Sequence, residues 1–276
     1  MALSLSGRVR KRVASMLWPA AFEAPVPPPE PTFSGDGLVT YYHSTDSLQD
    51  ERFQRAYAAG KATDSWWGLD PQWRAYVICW AAQRGRSIAG DYVECGVHRG
   101  GYSRMLADYV DLANLPDKKL YLVDTYCGIP ERYHEDVAGK MLEKLYSEDL
   151  RYADTYDDVV RTFQPFPNAV AIRGTVPDTL PKVPAERVCY LSIDLNVAAP
   201  SVAAAAYFWP RMTPGAVMVL DDYGFINFHD QKLAFDEFAS EIGVEILSIP
   251  TGQGLLIKPH QGETGAEAAG GSSASE

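Results

Sequence analysis

The chain has 276 residues, of which 46% are apolar and 22% charged, and its formal net charge is −11 with a pI near 4.9. This size and apolar content suffice for one large core, or for a domain of about 220 residues with tails. No basic stripe interleaved with aromatic residues occurs, and phosphate-backbone binding needs clustered Lys and Arg. Nucleic acid is therefore excluded as an expected partner.

The cysteines indicate the compartment. Four occur, widely spaced and without a CxxC pair: Cys79, Cys95, Cys127 and Cys189. This spacing favours small buried side chains in a reducing cytoplasm over disulfides or zinc ligands. No run of about 18 uncharged apolar residues occurs, so the sequence predicts no transmembrane segment. We expect a cytoplasmic protein.

Both ends of the chain differ in composition from its middle. The basic cluster at 8–12, followed by the apolar residues 16–18, favours a frayed helical tail and, secondarily, contact with a membrane surface. The proline-rich run 26–31 predicts an extended linker, and residues 261–276 predict a disordered tail. We divide the chain into a tail and linker (1–36), a folded domain with an N-terminal helical cap (37–260) and a C-terminal tail (261–276). The long N-terminal extension could exchange between subunits, so a homo-oligomer stays an open alternative.

Seven short runs rich in Val, Ile, Leu and Tyr alternate with helix-patterned stretches, which is typical of a parallel sheet covered on both faces. The predicted strands are Tyr92–Val97, Leu120–Asp124, Ala169–Arg173, Val188–Asp194, Ala216–Asp221, Val244–Ile249 and Leu255–Ile257. Only PTGQG separates the last two, too short for a crossover, so they should form an antiparallel hairpin.

Three helices between these strands have recognisable ends. Asp70 is placed to cap a helix with Pro71 in its first turn, an apolar stripe of Trp73, Val77, Trp80 and Ala81, and Gly85 at its end. A second should run from Asp230 to Ile242, with Leu233, Ala234, Phe235 and Phe238 facing the sheet and Gly243 ending it. Pro200 should begin a third.

The loop after the first predicted strand is rich in glycine. Ligands of open parallel sheets bind beyond the carboxyl ends of the strands, where this loop lies. It reads Glu94-Cys95-Gly96-Val97-His98-Arg99-Gly100-Gly101, and its glycines permit a sharp turn and a close approach of the backbone to a ligand. His98 replaces the second glycine of the dinucleotide pattern GxGxxG. A tight turn without a ligand is the alternative.

Asp124 ends the second predicted strand and is followed by Thr125. An acidic residue there is placed to accept hydrogen bonds from both ribose hydroxyls of an adenosine-bearing cofactor. Helix capping is the alternative. Because Gly96 and Asp124 end adjacent βα units, the two signals reinforce each other.

Three aspartates end the fourth and fifth predicted strands: Asp194, Asp221 and Asp222. Carboxylates that converge at one rim repel one another unless protons or a cation intervene, and an all-oxygen cluster suits Mg²⁺, Mn²⁺ or Ca²⁺ better than zinc. Asn196 could add a carbonyl ligand. Alternatively, Asp222 caps the next helix and Asp194 pairs with a basic residue.

These motifs resemble the macrocin O-methyltransferase family of class I methyltransferases, which modify sugar hydroxyls in macrolides and related glycosides. The resemblance rests on residues 93–100, 122–130, 174–181 and 220–224, and it spans about residues 88–258. It implies the Rossmann-like α/β fold of class I methyltransferases, a mostly parallel seven-stranded sheet with a C-terminal antiparallel hairpin and helices on both faces.

The resemblance also implies roles for individual residues. S-adenosylmethionine would contact Glu94, Gly96, Val97, His98, Gly100, Tyr102, Ser103, Asp124, Thr125, Gly174, Asp178 and Asp194. Mg²⁺, or Mn²⁺, would be held by Asp194, Asp221 and Asp222. Asn196 and Ala198 depart from the family, which commonly has an aspartate and a tyrosine at these positions, so metal affinity or sugar contacts should differ.

The acceptor is expected to be a small molecule or glycan with two vicinal hydroxyls, because a cation can chelate, orient and acidify such a pair. His134, His229 or Asp194 would take the proton, although both histidines could be ordinary loop residues. The aromatic side chains of Tyr41, Tyr42, Trp66 and Trp67 could stack on a sugar or pack in the core. An NAD-type oxidoreductase and a catalytically impaired cofactor-binding module remain open alternatives.

Overall fold

The computed structural model describes residues 30–136 and 153–260. The chain divides into two compact units, residues 1–45 and 46–276. In the first, β1 (Phe33–Gly35) pairs antiparallel with β2 (Leu38–Thr40). The boundary expected after residue 36 falls in the turn of this hairpin. The tails and the membrane contact proposed for residues 1–29 and 261–276 lie outside the described residues.

The second unit alternates helices and strands. Before the sheet come α1 (Asp46–Gln49), α2 (Glu51–Lys61) and α3 (Gln72–Gly85). Then follow β3 (Asp91–Cys95), α4 (Gly101–Tyr109), β4 (Leu120–Asp124), α5 (Tyr156–Thr162), β5 (Ala169–Arg173), β6 (Val188–Ile193), α6 (Ala198–Phe208), β7 (Met212–Leu220), α7 (His229–Glu241), β8 (Leu247–Ser248) and β9 (Gly254–Ile257). Short 3₁₀ turns occur at Leu112–Asn114, Glu131–Asp136, Leu180–Lys182, Trp209–Arg211 and Ile226–Phe228.

Seven of these strands form one sheet in the order β5-β4-β3-β6-β7-β9-β8. The first five are parallel to one another, while β9 is antiparallel to both β7 and β8. The predicted fold and its closing hairpin are thus confirmed. Only β4 and β5 have the predicted bounds. The largest differences are in β7, which begins four residues early at Met212, and in the edge strand β8, which is reduced to Leu247–Ser248; the ends of β3, β6 and β9 shift by one or two residues.

Helices cover both faces of the sheet. Every residue of β6 is buried, as expected for a central parallel strand. One face of β3, with Val93 and Cys95, packs in the same core as Phe208 of α6 and Phe235 of α7. On the other face, Ser103 of α4 bonds the Glu94 side chain. The Glu94 carboxyl group therefore lies between sheet and helix and is almost fully buried.

Two helix predictions are corrected. The carboxylate of Asp70 accepts hydrogen bonds from Tyr57 Oη and Lys61 Nζ, both at 2.8 Å, and does not cap α3. Trp80 and Leu233, expected in apolar stripes, are 41% and 54% exposed. Ala81 of the predicted α3 stripe is buried, and the other buried side chains of that helix are Ala75, Ile78, Cys79 and Ala82. The predicted stripe was only partly right, because it was centred on bulky aromatic side chains rather than on small buried ones.

The third helix starts earlier than expected, at Ala198. Pro200 is the third residue of α6 and lies within the first turn, where proline is tolerated. Gly243 lies just after α7 with φ +66°, as predicted. All four cysteines are free, and three are buried. Cys127 is exposed, because it lies in the loop after β4 rather than in a strand. Within residues 30–136 and 153–260, none of the helices has the length and apolar character needed to cross a bilayer.

We predict that Gly96→Ala severely destabilises the protein. Gly96 has φ +93°, and a Cβ there would lie 1.8 Å from the carbonyl oxygen of Asp194 on the neighbouring strand. Gly243→Ala is the matched control, since its φ is also positive and a Cβ would meet nothing within 4 Å. Urea denaturation should show a loss of about 1 kcal/mol for the control and more than about 3 kcal/mol for Gly96→Ala. Equal losses would mean that the strands can separate at this point.

Candidate active site

A cavity opens at the carboxyl ends of β4, β3, β6 and β7, and it encloses about 1340 Å³, part of it open solvent. Chain order reverses between β3 and β6, which is where ligands bind in such sheets. Most residues proposed from the sequence line this cavity: Glu94, Gly96, Val97, His98, Tyr102, Asp124, Thr125, Gly174, Asp194, Asn196, Asp221 and Asp222.

The Asp124 carboxylate organises two loops at this edge. One oxygen accepts hydrogen bonds from the backbone N–H groups of Val97 (2.5 Å) and His98 (2.8 Å), and the other accepts one from Tyr126 N (2.6 Å). The Thr125 hydroxyl lies 3.2 Å from the second oxygen but only 2.6 Å from the Gly128 carbonyl, to which it can donate its single proton instead. A carboxylate offers about four lone-pair sites, so roughly one then remains for a ligand. The sequence suggested acceptance from two ribose hydroxyls, whereas the structure leaves room for about one.

Thr155 holds the same two loops from their carbonyl side. Its hydroxyl donates to His98 O at 2.7 Å, and its backbone N–H donates to Tyr126 O at 2.8 Å. The side chain is buried and lines the cavity. Sequence reasoning missed Thr155, because no motif around it indicates that it lies beside the loop after β4.

Four non-glycine residues lining the cavity have left-handed backbone conformations: Trp67, His98, Tyr126 and Asn196. Each costs of order 1 to 3 kcal/mol and persists only where its surroundings enforce it. At His98 and Tyr126 the enforcing groups are Asp124 and Thr155. Such strained residues concentrate at functional sites.

The three aspartates meet at one side of the cavity, where one carboxylate oxygen from each lies within 4.8 Å of the others. Burial raises the pKa of Asp194 well above its usual range, and the neighbouring Asp221 and Asp222 raise it further, while Arg74 opposes the shift. Burial, and then Asp221, raises the pKa of Asp222 to about 7. The cluster therefore carries more negative charge than its surroundings favour.

Donors to these carboxylates come from three other elements. Arg74 of α3 contacts Asp221 Oδ2 at 2.9 Å, and Gln253 Nε2 donates to Asp221 Oδ1 at 3.0 Å. Gln231 Nε2 of α7 lies 3.4 Å from Asp222 Oδ2. The structure does not fully match the alternative in which Asp222 caps a helix and Asp194 pairs with a basic residue. The carboxylate paired with a basic residue is Asp221. The sequence contains no motif that would identify Arg74 or Gln253.

Residues 78–247 match the family model described as macrocin O-methyltransferase (TylF). The chain belongs to the macrocin O-methyltransferase family. The match covers β3 to β8 and includes the glycine-rich loop, Asp124 and all three aspartates, so the family predicted from the motifs is confirmed.

Individual relatives are more distant. The chain is 24% identical over 171 residues to demethyldecarbamoylnovobiocin O-methyltransferase of Streptomyces niveus, covering 60% of this chain and 64% of that protein. It is 25% identical over 142 residues to mycinamicin III 3''-O-methyltransferase of Micromonospora griseorubida, covering 49% and 56%. It is 29% identical over 150 residues to a tetracenomycin rhamnosyl 4'-O-methyltransferase of Streptomyces olivaceus, covering 49% and 54%. The chain thus spans less than two thirds of the length of these relatives.

Solved structures support the fold. The O-methyltransferase NovP superposes with a TM-score of 0.59 at 22% identity, over 68% of this chain and 80% of that one. The calicheamicin methyltransferase CalS11 superposes with a TM-score of 0.50 at 16% identity, over 82% and 99%. The class I methyltransferase fold expected for a member of the family is therefore present.

Glu94 has the most buried carboxyl group among the cofactor residues that the family resemblance implied. Burial raises its pKa to about 8, a hydrogen bond from the Ser103 hydroxyl opposes that shift, and the charges of Asp124 and Asp221 add to it. Glu94 still contributes to the cavity lining. It can therefore present a protonated or a charged carboxyl to a ligand near neutral pH.

The predicted aromatic group divides between the two units. Trp66 stacks on Tyr57 at 5.0 Å, and Trp67 contacts the His98 ring edge-on at 5.4 Å; both tryptophans line the cavity. Tyr41 and Tyr42 belong to the first unit and are exposed. Core packing therefore accounts for Trp66, which is 8% exposed.

Five proposed residues are not among the described residues that line the cavity: Gly100, Ser103, His134, Asp178 and His229. Asp178 forms an exposed ion pair with Arg132, and His134 Nε2 bonds the carbonyl of Ile129. Gly100 precedes α4 with φ +83°, and Ser103 bonds Glu94. Gly100 and Ser103 thus lie behind the cavity lining, and the roles expected of the two histidines stay predictions.

We predict that Thr155→Val weakens S-adenosylhomocysteine binding roughly fivefold in calorimetry, the equivalent of about 1 kcal/mol for a lost hydrogen bond. The valine keeps the shape of threonine but releases the His98 carbonyl. Thr213→Val is the control, since its hydroxyl also donates to a backbone carbonyl at 2.7 Å, at the opposite end of the sheet. If Thr155→Val binds S-adenosylhomocysteine with unchanged affinity, the hydrogen bonds of Thr155 do not contribute to ligand binding.

We predict that, without added metal, the free energy of unfolding falls as pH rises from about 4.5 to about 8. In this window the unfolded chain releases the Glu94 proton while the folded chain, with the pKa raised to about 8, retains it. Glu94→Gln should make this dependence shallower in urea titrations at several pH values, while Asp194 and Asp222, whose pKa values are also raised, maintain the remaining slope. Glu241→Gln, an exposed site at the end of α7, should leave it intact. An equally steep slope in Glu94→Gln would contradict the assignment.

Proposed function

We propose that this chain is an S-adenosylmethionine-dependent O-methyltransferase that methylates a hydroxyl of a sugar or glycoside with the help of Mg²⁺ or Mn²⁺. One observation carries the proposal: a single cavity is lined by the glycine-rich loop, by Asp124 and by the three aspartates. A cofactor region and a cation region therefore share one space, as methyl transfer to a metal-bound hydroxyl requires.

The acceptor class is proposed from the relatives. Their names describe O-methyltransferases of antibiotic intermediates, and one specifies the 4' position of a rhamnosyl group. The cavity is lined both by the residues proposed for the cofactor and by the aspartate cluster, so a cofactor and an acceptor hydroxyl can meet in it. We expect the methylated hydroxyl of this chain's acceptor to have a vicinal oxygen that can share the cation; in the named acceptor of the tetracenomycin relative that oxygen belongs to a methoxy group.

The aspartate cluster fits a hard divalent cation. Carboxylate oxygens bind Mg²⁺ at about 2.1 Å and Ca²⁺ at about 2.4 Å, so ligands on opposite sides of the ion are about 4.2 to 4.8 Å apart. The three oxygens lie within 4.8 Å of one another, which matches the Ca²⁺ span, and the side chains would need to approach by a few tenths of an ångström to hold Mg²⁺. Asp194, Asp221 and Asp222 would therefore hold the ion, with Asn196 nearby on the cavity wall.

The cofactor region fits an adenosyl group. Asp124 retains about one acceptor site for a ribose hydroxyl, and Gly96 keeps the backbone of the loop close to β6. Glu94, Val97, His98, Tyr102, Thr125 and Gly174 complete this part of the lining. When bound, S-adenosylmethionine supplies the electrophilic methyl group, and the cation lowers the pKa of the acceptor hydroxyl.

The chain's own task is to orient the acceptor and remove one proton. Asp194 is the proposed proton acceptor, because its carboxyl lines the cavity beside the other two aspartates. We favour it over His134 and His229, because neither histidine is among the described lining residues. The tryptophan-rich segment before α3 adds apolar lining that limits access of water.

The earlier alternatives differ in measurable ways. An NAD-type oxidoreductase would need a glycine in place of His98 and has no evident use for three aspartates in its cavity. A cofactor-binding module without catalysis would bind S-adenosylhomocysteine but would transfer no methyl group. Neither explains the cavity as well as the methyltransferase proposal.

The test is a screen of the purified chain for methyl transfer to free, nucleotide-linked and lipid-linked glycosides, with Mg²⁺ or with excess chelator. We expect turnover on at least one vicinal diol with Mg²⁺ and a loss of at least about 100-fold in chelator. Equal turnover with Mg²⁺ and in excess chelator would exclude a role for the metal. Affinity for NAD without affinity for S-adenosylhomocysteine would overturn the whole assignment.

Asp222→Asn sharpens this test. It should abolish the Mg²⁺-stimulated activity while S-adenosylhomocysteine affinity stays within a few fold, because the cation contacts the acceptor rather than the adenosyl group. Asp108→Asn is the matched control, since that carboxylate pairs with Arg104 on α4, outside the cavity lining.

A further inference from the structure

Arg74 is the most unusual neighbour of the aspartate cluster. Its ion pair with Asp221 has side-chain exposures of 13% and 4%, the most buried ion pair in the part of the chain that the structure describes. Buried pairs cost desolvation energy, and removing one partner leaves an uncompensated charge. A cation permanently fixed beside a proposed metal site therefore requires an explanation.

The local structure holds Arg74 and Asp221 rigidly. The guanidinium lies 5.3 Å above the centre of the Phe225 ring, and a Cβ at Gly252 would be 2.3 Å from that ring, so Phe225 is wedged between them. Gln253 is fully buried. Its side-chain Nε2 donates to the second oxygen of Asp221, and its side-chain Oε1 accepts a hydrogen bond from Thr251 Oγ1. Both oxygens of Asp221 are thus oriented by donors from α3 and from the segment before β9.

The charges of the site then sum simply. With all three carboxylates ionised, the state in which they can bind a metal ion, these groups and one guanidinium give −3 + 1 = −2, which one divalent cation brings to zero. Without Arg74 the loaded site would retain a charge of −1, and the empty site a charge of −3. Buried sites favour neutrality, because unpaired charge loses its hydration.

We propose that Arg74 is the fixed counter-charge and positioning residue of the aspartate cluster. It orients Asp221 for ligation, stabilises the cluster before a cation arrives, and sets the net charge at which one divalent ion completes the site. This inference rests on the proposed metal site, and it assigns Arg74 no contact with the reacting atoms.

The test measures thermal unfolding of the full chain in EDTA and in saturating Mn²⁺, together with Mn²⁺ binding by calorimetry. Arg74→Met should lower the melting temperature in EDTA by several degrees and regain most of it in Mn²⁺. Its metal-dependent shift should therefore be at least about twice that of wild type, because a ligand that binds only the folded state adds its binding energy to stability. Arg74→Lys, which keeps the charge, should restore a shift close to wild type.

Two further variants separate charge from packing. Arg84→Met is the matched control on the same helix, where an exposed guanidinium lies over Trp80, and it should leave the metal-dependent shift unchanged. Arg74→Met combined with Asp221→Asn returns the empty site to −2 and should recover melting temperature in EDTA. This double variant also keeps the test decisive if Arg74→Met alone does not fold.

The outcomes are distinguishable. If wild type binds no Mn²⁺, the proposed metal site fails. If wild type binds Mn²⁺ but Arg74→Met loses equal stability with and without it, Arg74 is only a packing residue and the inference is overturned. Failure of the double variant to recover stability would overturn it as well.

Discussion

The cavity depends on one carboxylate. Asp124 receives three backbone N–H groups from the loops that follow β3 and β4, and Thr155 binds the carbonyls of two of the same residues. Between them, these two side chains hold His98 and Tyr126 in left-handed conformations that neither residue favours alone. The shape of the proposed cofactor region is therefore maintained by these hydrogen bonds within the protein.

A second constraint is the close contact between β3 and β6 at the point where chain order reverses. Gly96 has no space for a side chain because the Asp194 carbonyl lies against it, so the backbone that begins the cofactor loop touches the backbone that carries an aspartate of the cluster. The two halves of the proposed reaction, methyl donor and activated hydroxyl, are thereby kept adjacent. Positioning of this kind is a large part of what an enzyme contributes to a bimolecular displacement.

Charge is the third constraint. The cluster of Asp194, Asp221 and Asp222 is costly without a counter-charge, and the pKa values of Asp194 and Asp222 rise accordingly. Arg74 and the amides of Gln231 and Gln253 offset part of this cost without filling the space between the carboxylates. A site that remains under-compensated in this way is suited to bind and release a divalent cation.

The sequence by itself determined which strand ends carry the functional residues. Gly96, Asp124, Asp194, Asp221 and Asp222 were placed at strand ends because parallel sheets bury near-continuous apolar runs, and the limits of these runs are visible in the composition. Tertiary structure alone decided which distant side chains complete the site. Arg74, Thr155 and Gln253 come from a helix and two loops, and their roles depend on packing directions that local pattern does not encode. For the same reason His134 and His229, plausible by chemistry, lie outside the cavity lining, and Asp178 lies at the surface. Periodicity reports which face of an element is buried, whereas convergence on a point in space depends on how the elements pack.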